Sequence, residues 1–224
     1  PVPRLEKLFP WLDHIAGMGF NALYIGPLFE SVRHGYDTTD YFTLDRRLGN
    51  NQTFKQFSNR AHELGIKVIL DGVFNHVGRD FFAFRDVQEK RENSAYCGWF
   101  SGLRFDANNH HNDGFKYDCW EGHENLVNLN LANHQVRAHI FEAVKIWINE
   151  FNIDGLRLDA ANVMDKQFLG ELAHFSRSLK PDFWLMGEVI AGDYRQWANP
   201  DRLDSVTNYE AFKGLYSSFN DHNF

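Results

Sequence analysis

Cysteine is nearly absent. Cys97 and Cys119 stand alone and not in C-x-x-C spacing, which excludes a disulfide framework and a cysteine zinc site. No apolar run approaches the roughly 20 residues that a membrane-crossing helix needs, so no membrane partner is expected. Positive charge is in deficit and scattered: 23 basic against 30 acidic residues leave a net charge of −7, without the clustered basic footprint of a nucleic-acid binder. A neutral partner fits better. The opening Pro1-Val2-Pro3-Arg4 has no signal-peptide layout, and if that start is native the cytoplasm is the expected compartment. Low-complexity linkers are missing too, so most of the chain is expected to fold around one sizeable core.

What is present is a regular alternation. Leu5, Leu8, Leu12 and Ile15 recur at helical spacing and predict an amphipathic helix over 4–18, ended by Gly17 and Gly19. Residues 22–25 read as a buried strand, and 41–44 as a second strand. Thr53 and Gln56 have the form of a capping box for a helix that Gly65 stops. Residues 66–70 are the third predicted strand. A periodic helix over 134–151 leads into a fourth at 153–158, and a helix capped by Asp165 leads into a fifth at 183–187. A sixth is expected at 204–208. Alternating strands and helices predict an α/β chain with a parallel sheet.

Spacing adds an insertion. Asp159 and Glu188 each end a predicted strand and lie one βαβ unit apart, about 30 residues. Asp71 and Asp159 are separated by far more than one unit. The surplus is assigned to 77–133, a segment rich in Asn, His, Gly and aromatics, between the third strand and its helix. Residues 1–76 and 134–224 then form the barrel part.

The most informative stretch is Asp154-Gly155-Leu156-Arg157-Leu158-Asp159. Strand side chains alternate, so Gly155, Arg157 and Asp159 share one face. A guanidinium within about 4–6 Å lowers an Asp pKa by roughly 1–3 units, so Arg157 is expected to hold Asp159 ionised. An isolated Arg-x-Asp is more often a surface ion pair. Here, however, Asp71, Asp159 and Glu188 all fall where strands hand over to loops, the face on which a (β/α)₈ barrel carries its chemistry. Converging carboxylates suit cleavage of a glycosidic bond, in which one attacks the anomeric carbon and a protonated one donates to the leaving oxygen. Glu188 is expected to be kept protonated by burial and nearby negative charge. The same carboxylates also fit a metal-dependent barrel enzyme.

These residues carry a resemblance. Asp71-Gly72-Val73-Phe74-Asn75-His76 matches a D-x-x-x-N-H motif, Gly155-Leu156-Arg157-Leu158-Asp159 matches G-x-R-x-D, and Gly187-Glu188-Val189 supplies a strand-end glutamate. Together with Gly35-Tyr36-Asp37, they make the chain resemble the α-amylase family of glycoside hydrolases, in particular its neopullulanase and cyclomaltodextrinase-like members. The resemblance implies a (β/α)₈ TIM-barrel fold, of which about six of eight units are present, and retaining cleavage of maltodextrin-like α-glucans. It implies Asp159 as nucleophile and Glu188 as general acid/base. Arg157 would orient Asp159, His76 would bind a sugar hydroxyl, and Tyr36 would stack on a sugar ring. Asp71 and Asn75 would be structural supports, and 77–133 one wall of the cleft. Trp99 and Trp120 are expected either to line that cleft or to pack within the insert. The His110-His111-Asn112-Asp113 run is read as a solvated loop; the resemblance leaves calcium in or near the insert open, but with no calcium-loop spacing no metal is assigned, and no other cofactor is expected.

The match also departs from the family. The family's third carboxylate, in an Asn-His-Asp motif after strand seven, has no counterpart; Asp221-His222 is in reverse order. An incomplete barrel leaves apolar edges unpaired, so the chain is expected to be part of a longer protein. A non-catalytic glucan-binding relative is the alternative that this absence keeps open.

Overall fold

A computed structural model describes residues 3–222; Pro1 and Val2, part of the opening inspected for a signal layout, lie outside it. Its centre is a parallel sheet whose strands are β1 (Ala22–Ile25), β4 (Lys67–Gly72), β8 (Gly155–Leu158), β9 (Trp184–Gly187) and β10 (Ser205–Val206), adjacent in that order. Helices α2 (Asn51–Glu63), α4 (His134–Phe151) and α5 (Lys166–Leu179) connect them. Each contributes an apolar stripe to one continuous core. Val136, Ile140, Val144 and Trp147 of α4 are fully buried, as are Phe168, Leu169 and Leu172 of α5. Such a sheet puts every strand's carboxyl end on one side, and the candidate residues with it.

Several expectations need correction. The strand expected at 41–44 is β3 (Thr38–Leu44), which pairs antiparallel with β2 (Phe29–Ser31) in a separate ribbon, so the central sheet has five strands and not six. Aromatic packing explains its placement: Trp147 of α4 stacks on Phe29 at 4.2 Å, and its indole N–H donates to the Tyr41 carbonyl at 2.9 Å. The Tyr41 hydroxyl then donates to the Val73 carbonyl at 2.6 Å, fastening the ribbon over the sheet. Strand β1 is an edge and only half-buried, where a buried strand was expected.

The first helix also breaks. Residues Arg4–Leu8 form a 3₁₀ turn and α1 runs only from Phe9 to Gly17. Pro10 has no N–H to donate and is tolerated only in a first turn, so the α-helix must begin beside it. Leu5 and Leu12 are buried, but Leu8 is exposed. Asn50, not Thr53, caps α2: its Oδ1 accepts the Thr53 N–H at 2.9 Å. Asp165 caps α5 as expected, accepting from the Phe168 N–H at 2.7 Å.

Between β4 and α4 lies a second, antiparallel sheet of β5 (His76–Gly78), β7 (His123–Asn128) and β6 (Cys119–Trp120), with helix α3 (Phe82–Lys90) against it. This segment is more regular than its composition indicated. Arg79 anchors its long loop, donating to both oxygens of Asp113 at 2.8 and 2.9 Å, and Phe84, Phe115 and Tyr117 pack edge to face beneath. Helix α6 (Tyr209–Tyr216) follows β10 and exposes Phe212, Leu215 and Tyr216.

Candidate active site

Register assembles the site. Asp71 of β4 lies directly beside Arg157 of β8, and Arg157 beside Met186 of β9. Beyond the strand ends the ladder continues: the Asp159 N–H donates to the Gly72 carbonyl at 3.1 Å, and the Glu188 N–H to the Leu158 carbonyl at 2.9 Å. Backbone bonds thus fix both acidic residues. Gly155 lets the strands meet, because a Cβ there would stand 2.4 Å from the Trp184 carbonyl oxygen.

One guanidinium then gathers three carboxylates. Arg157 Nη1 donates to Asp71 Oδ1 and to Asp159 Oδ1, both at 2.8 Å, and Nη2 lies 2.7 Å from Glu188 Oε2. Burial alone would lower the Arg157 pKa, but the charges of Asp71, Asp159 and Glu188 outweigh it and push it up. The guanidinium fills the position among the three acids that a divalent cation would need, which counts against the metal-dependent reading. Among the described residues no group of three or more His, Cys, Asp or Glu is arranged to hold a metal ion.

The charge state of Asp159 and the burial of Glu188 differ from expectation. Burial pushes Asp159 up to about 6, with Arg157 pulling it down and the charges of Asp71 and Glu188 pushing it up again. The guanidinium was expected to dominate; the loss of water outweighs it. Glu188, in turn, lacks the burial expected of it. Its side chain is 21% exposed, and its Oε2 accepts the Ala160 N–H at 3.0 Å besides meeting Arg157. That N–H points inward because Ala160 adopts a left-handed conformation, φ +53°, which costs an alanine about 1–2 kcal/mol.

His76 is buried beside them. Its Nε2 has no hydrogen-bond partner and lies 3.9 Å from Asp159 Oδ2, while Nδ1 lies 3.3 Å from Asn75 Nδ2. With that amide donating, the ring proton sits on Nε2, an atom that is itself buried beside Asp159. Burial pushes the His76 pKa down to about 4, so the imidazole is neutral at ordinary pH. Asn75 is itself buried, and its carbonyl accepts the Leu129 N–H at 3.0 Å, tying the loop after β4 to the residue just beyond β7.

A cavity of about 430 Å³ opens above this cluster, lined by His34, Tyr36, His76, Trp120, His123, Leu126, Arg157, Asp159 and Glu188. Small-molecule sites commonly span roughly 300–1,000 Å³. Tyr36 is pushed up to about 12 by burial and then by the charge of Asp71, so it enters the cavity as a neutral phenol. Trp120 also lines the cavity, its ring 6.0 Å from that of His76. Trp99 does not reach the cavity; it is buried against Phe82 and Tyr96 and donates to Gln135. His110 is exposed beside Glu124, away from the cavity, and Asp221 lies in the last turn after α6.

Three contributors went unnoticed in the sequence. Tyr24 of β1 donates to Asp71 Oδ2 at 2.8 Å, so that both Asp71 oxygens are bound and its carboxylate becomes a fixed brace for Arg157. Nothing in the sequence signalled this, because strand 41–44 was expected between β1 and β4, whereas the structure pairs β1 with β4 directly. His34 reaches the cavity from the loop after β2 and His123 from the first residue of β7, and no spacing in the sequence relates them.

Comparison with known proteins agrees with this geometry. Residues 5–223 match the family model described as alpha amylase, catalytic domain. A cyclomaltodextrinase of Geobacillus thermopakistaniensis is 37% identical over 92% of this chain and 34% of its own length. Neopullulanase 2 of Thermoactinomyces vulgaris is 38% identical over 92% of this chain and 35% of its own. The ligand-free structure of a cyclic alpha-maltosyl-(1→6)-maltose hydrolase from Arthrobacter globiformis superposes with a TM-score of 0.89 at 33% identity, covering 97% of this chain and 49% of that one. The chain therefore spans about a third of the length of the curated relatives it matches.

Proposed function

Because the chain belongs to the α-amylase family of glycoside hydrolases, we propose that its whole protein cleaves α-glucosidic bonds of linear or cyclic maltodextrins with retention of configuration. The observation that carries the reading is that Asp159 and Glu188, at the ends of adjacent strands, share one guanidinium and line one cavity. Asp159 attacks the anomeric carbon, the C1–O bond breaks, and Glu188 gives its proton to the departing glycosidic oxygen. Water, deprotonated by Glu188, then releases the sugar from Asp159. His76 and Tyr36 both line the cavity, the first to bind a sugar hydroxyl and the second to offer a ring face for stacking. Asp71 and Asn75 hold Arg157 and His76 in place.

The test is stereochemical. Proton NMR of maltodextrin digestion should show the α-anomer first, and a 5-fluoroglycosyl fluoride should leave a sugar on Asp159 detectable by peptide mass. A first-formed β-anomer would sink the reading. Catalysis needs Asp159 ionised, so kcat/KM should rise through an acid limb centred at about pH 6, the value to which burial pushes this group. A limb near pH 4 would show that the free enzyme does not bury Asp159 in this way.

The proposal includes a cytoplasmic location, in keeping with the Bacillus subtilis relative named an intracellular maltogenic amylase. No helix among the described residues is long and apolar enough to cross a membrane. It also includes no metal in the chemical steps, since the Arg157 guanidinium already occupies the space among the three acids. Residues 1–224 alone, with no counterpart of the family's third carboxylate, are expected to hydrolyse maltotriose at under about a hundredth of the whole protein's rate, which is a loss of roughly 3 kcal/mol in transition-state stabilisation. Comparable turnover by the two would contradict that.

A further inference from the structure

Resting on the retaining-hydrolase reading above, we infer that Tyr209, on the first turn of α6, is a positioning residue that fixes which oxygen of Glu188 carries the catalytic proton. The two oxygens stand in different company. Oε2 meets only donors, Arg157 Nη2 at 2.7 Å and the Ala160 N–H at 3.0 Å. A guanidinium and an amide N–H have no lone pair to offer, so a proton on Oε2 would face two others and displace both contacts. Oε1 meets the Tyr209 hydroxyl at 3.2 Å. A hydroxyl both gives and accepts a hydrogen bond, so it alone of these neighbours serves either protonation state.

The proton therefore resides on Oε1. In the acid form Oε1–H donates to the Tyr209 oxygen or to the glycosidic oxygen that arrives beside it. When the C1–O bond breaks, the departing oxygen keeps the bonding electron pair and takes that proton. Oε1 becomes anionic, and the Tyr209 hydroxyl rotates to donate to it. When water later attacks the glycosyl–Asp159 bond, Oε1 recovers a proton and the hydroxyl rotates back, with no net change at Tyr209. The phenol keeps its own proton throughout, because partial burial and then the Glu188 charge push its pKa up. Asn208 holds the tyrosine in place by capping α6, its Oδ1 accepting the Ala211 N–H at 3.0 Å. Ala160 completes the arrangement from the other side, since its left-handed backbone brings the N–H to Oε2.

The experiment compares Tyr209→Phe and Glu188→Gln in the whole protein on two substrates that differ only in leaving group: maltotriose, which needs protonation, and α-maltosyl fluoride, which does not. Glu188→Gln should lose at least a hundredfold in kcat/KM, which reports only the glycosylation step, on maltotriose and less than tenfold on the fluoride. Tyr209→Phe should follow it in miniature, losing about tenfold on maltotriose with KM within twofold, and less than twofold on the fluoride. Equal losses on both substrates in Tyr209→Phe, or a loss confined to KM, would overturn the inference and leave a packing or stacking role. Equal losses in Glu188→Gln would instead overturn the assignment of Glu188 itself, so the two failures are distinct.

Discussion

Asp159→Asn should abolish hydrolysis of unactivated maltodextrins while leaving the chain folded. The amide keeps the shape of the side chain and can still accept from Arg157 Nη1, but it cannot attack the anomeric carbon. Removing a nucleophile from a coupled catalytic pair commonly costs about 10⁴-fold or more in kcat. The check is single-turnover digestion of maltotriose beside a circular-dichroism melt of the same variant. Turnover within a hundredfold of the unmutated protein would mean that another group attacks, and a lost melt would mean that the residue is needed for folding instead. Glu188→Gln cannot substitute for this test, because its deficit depends on the leaving group and that of Asp159→Asn should not.

The larger effect on stability is expected from Arg157→Leu. The guanidinium is the shared partner of Asp71, Asp159 and Glu188, and Asp71 and Asp159 are buried. Breaking a buried pair by deleting one member costs about 3–5 kcal/mol, since the abandoned charge has no water to turn to. Here more than one charge is abandoned, so the upper part of that range is expected from urea denaturation at pH 8.

The pH dependence follows from the direction of the shifts. Burial raises the pKa of Asp71 and takes that of Asp159 up to about 6, so the folded state binds protons more tightly than the unfolded chain does. For Asp159 this favours folding fully below the ordinary carboxylate range and is lost as pH climbs through about 6. Without Arg157 both pKa values rise further and the window widens upward, so the variant should recover much of its deficit between pH 8 and pH 5. His76 slopes the other way, its lowered pKa favouring folding above about 6.5 and losing that contribution as pH falls through about 4. In the unmutated protein the two slopes oppose each other between pH 4 and 6, which leaves the recovery in Arg157→Leu as the clear signal. A variant as stable at pH 8 as its parent would show that the carboxylates are solvated, not buried.

How much of this was legible in the sequence depends on range. Helix α4 could be read to the residue, because eighteen residues of apolar periodicity average out local accidents. Asp165 as a cap was legible for the same local reason, since its partner is three residues away. The break before α1 was legible as well, had Pro10 been weighed against the leucine spacing. Strand 41–44 was not. Its length and composition fit a parallel strand as well as an antiparallel ribbon, and only the Trp147 ring stacked on Phe29, over a hundred positions away, decides between them.

The sequence by itself determined the α/β alternation, the long insertion after β4, and the motif residues Asp71, His76, Arg157, Asp159 and Glu188, because each is written in spacing along one chain. Tertiary structure alone decided their company and charge. It brought Tyr24, His34, His123 and Tyr209 from four other places to the same site, and it set burial against Arg157 at Asp159 and let burial win. The reason is physical: periodicity reports which face of an element turns inward, whereas a pKa depends on how much water is excluded and which charges lie within a few ångströms, and both are sums over the whole fold.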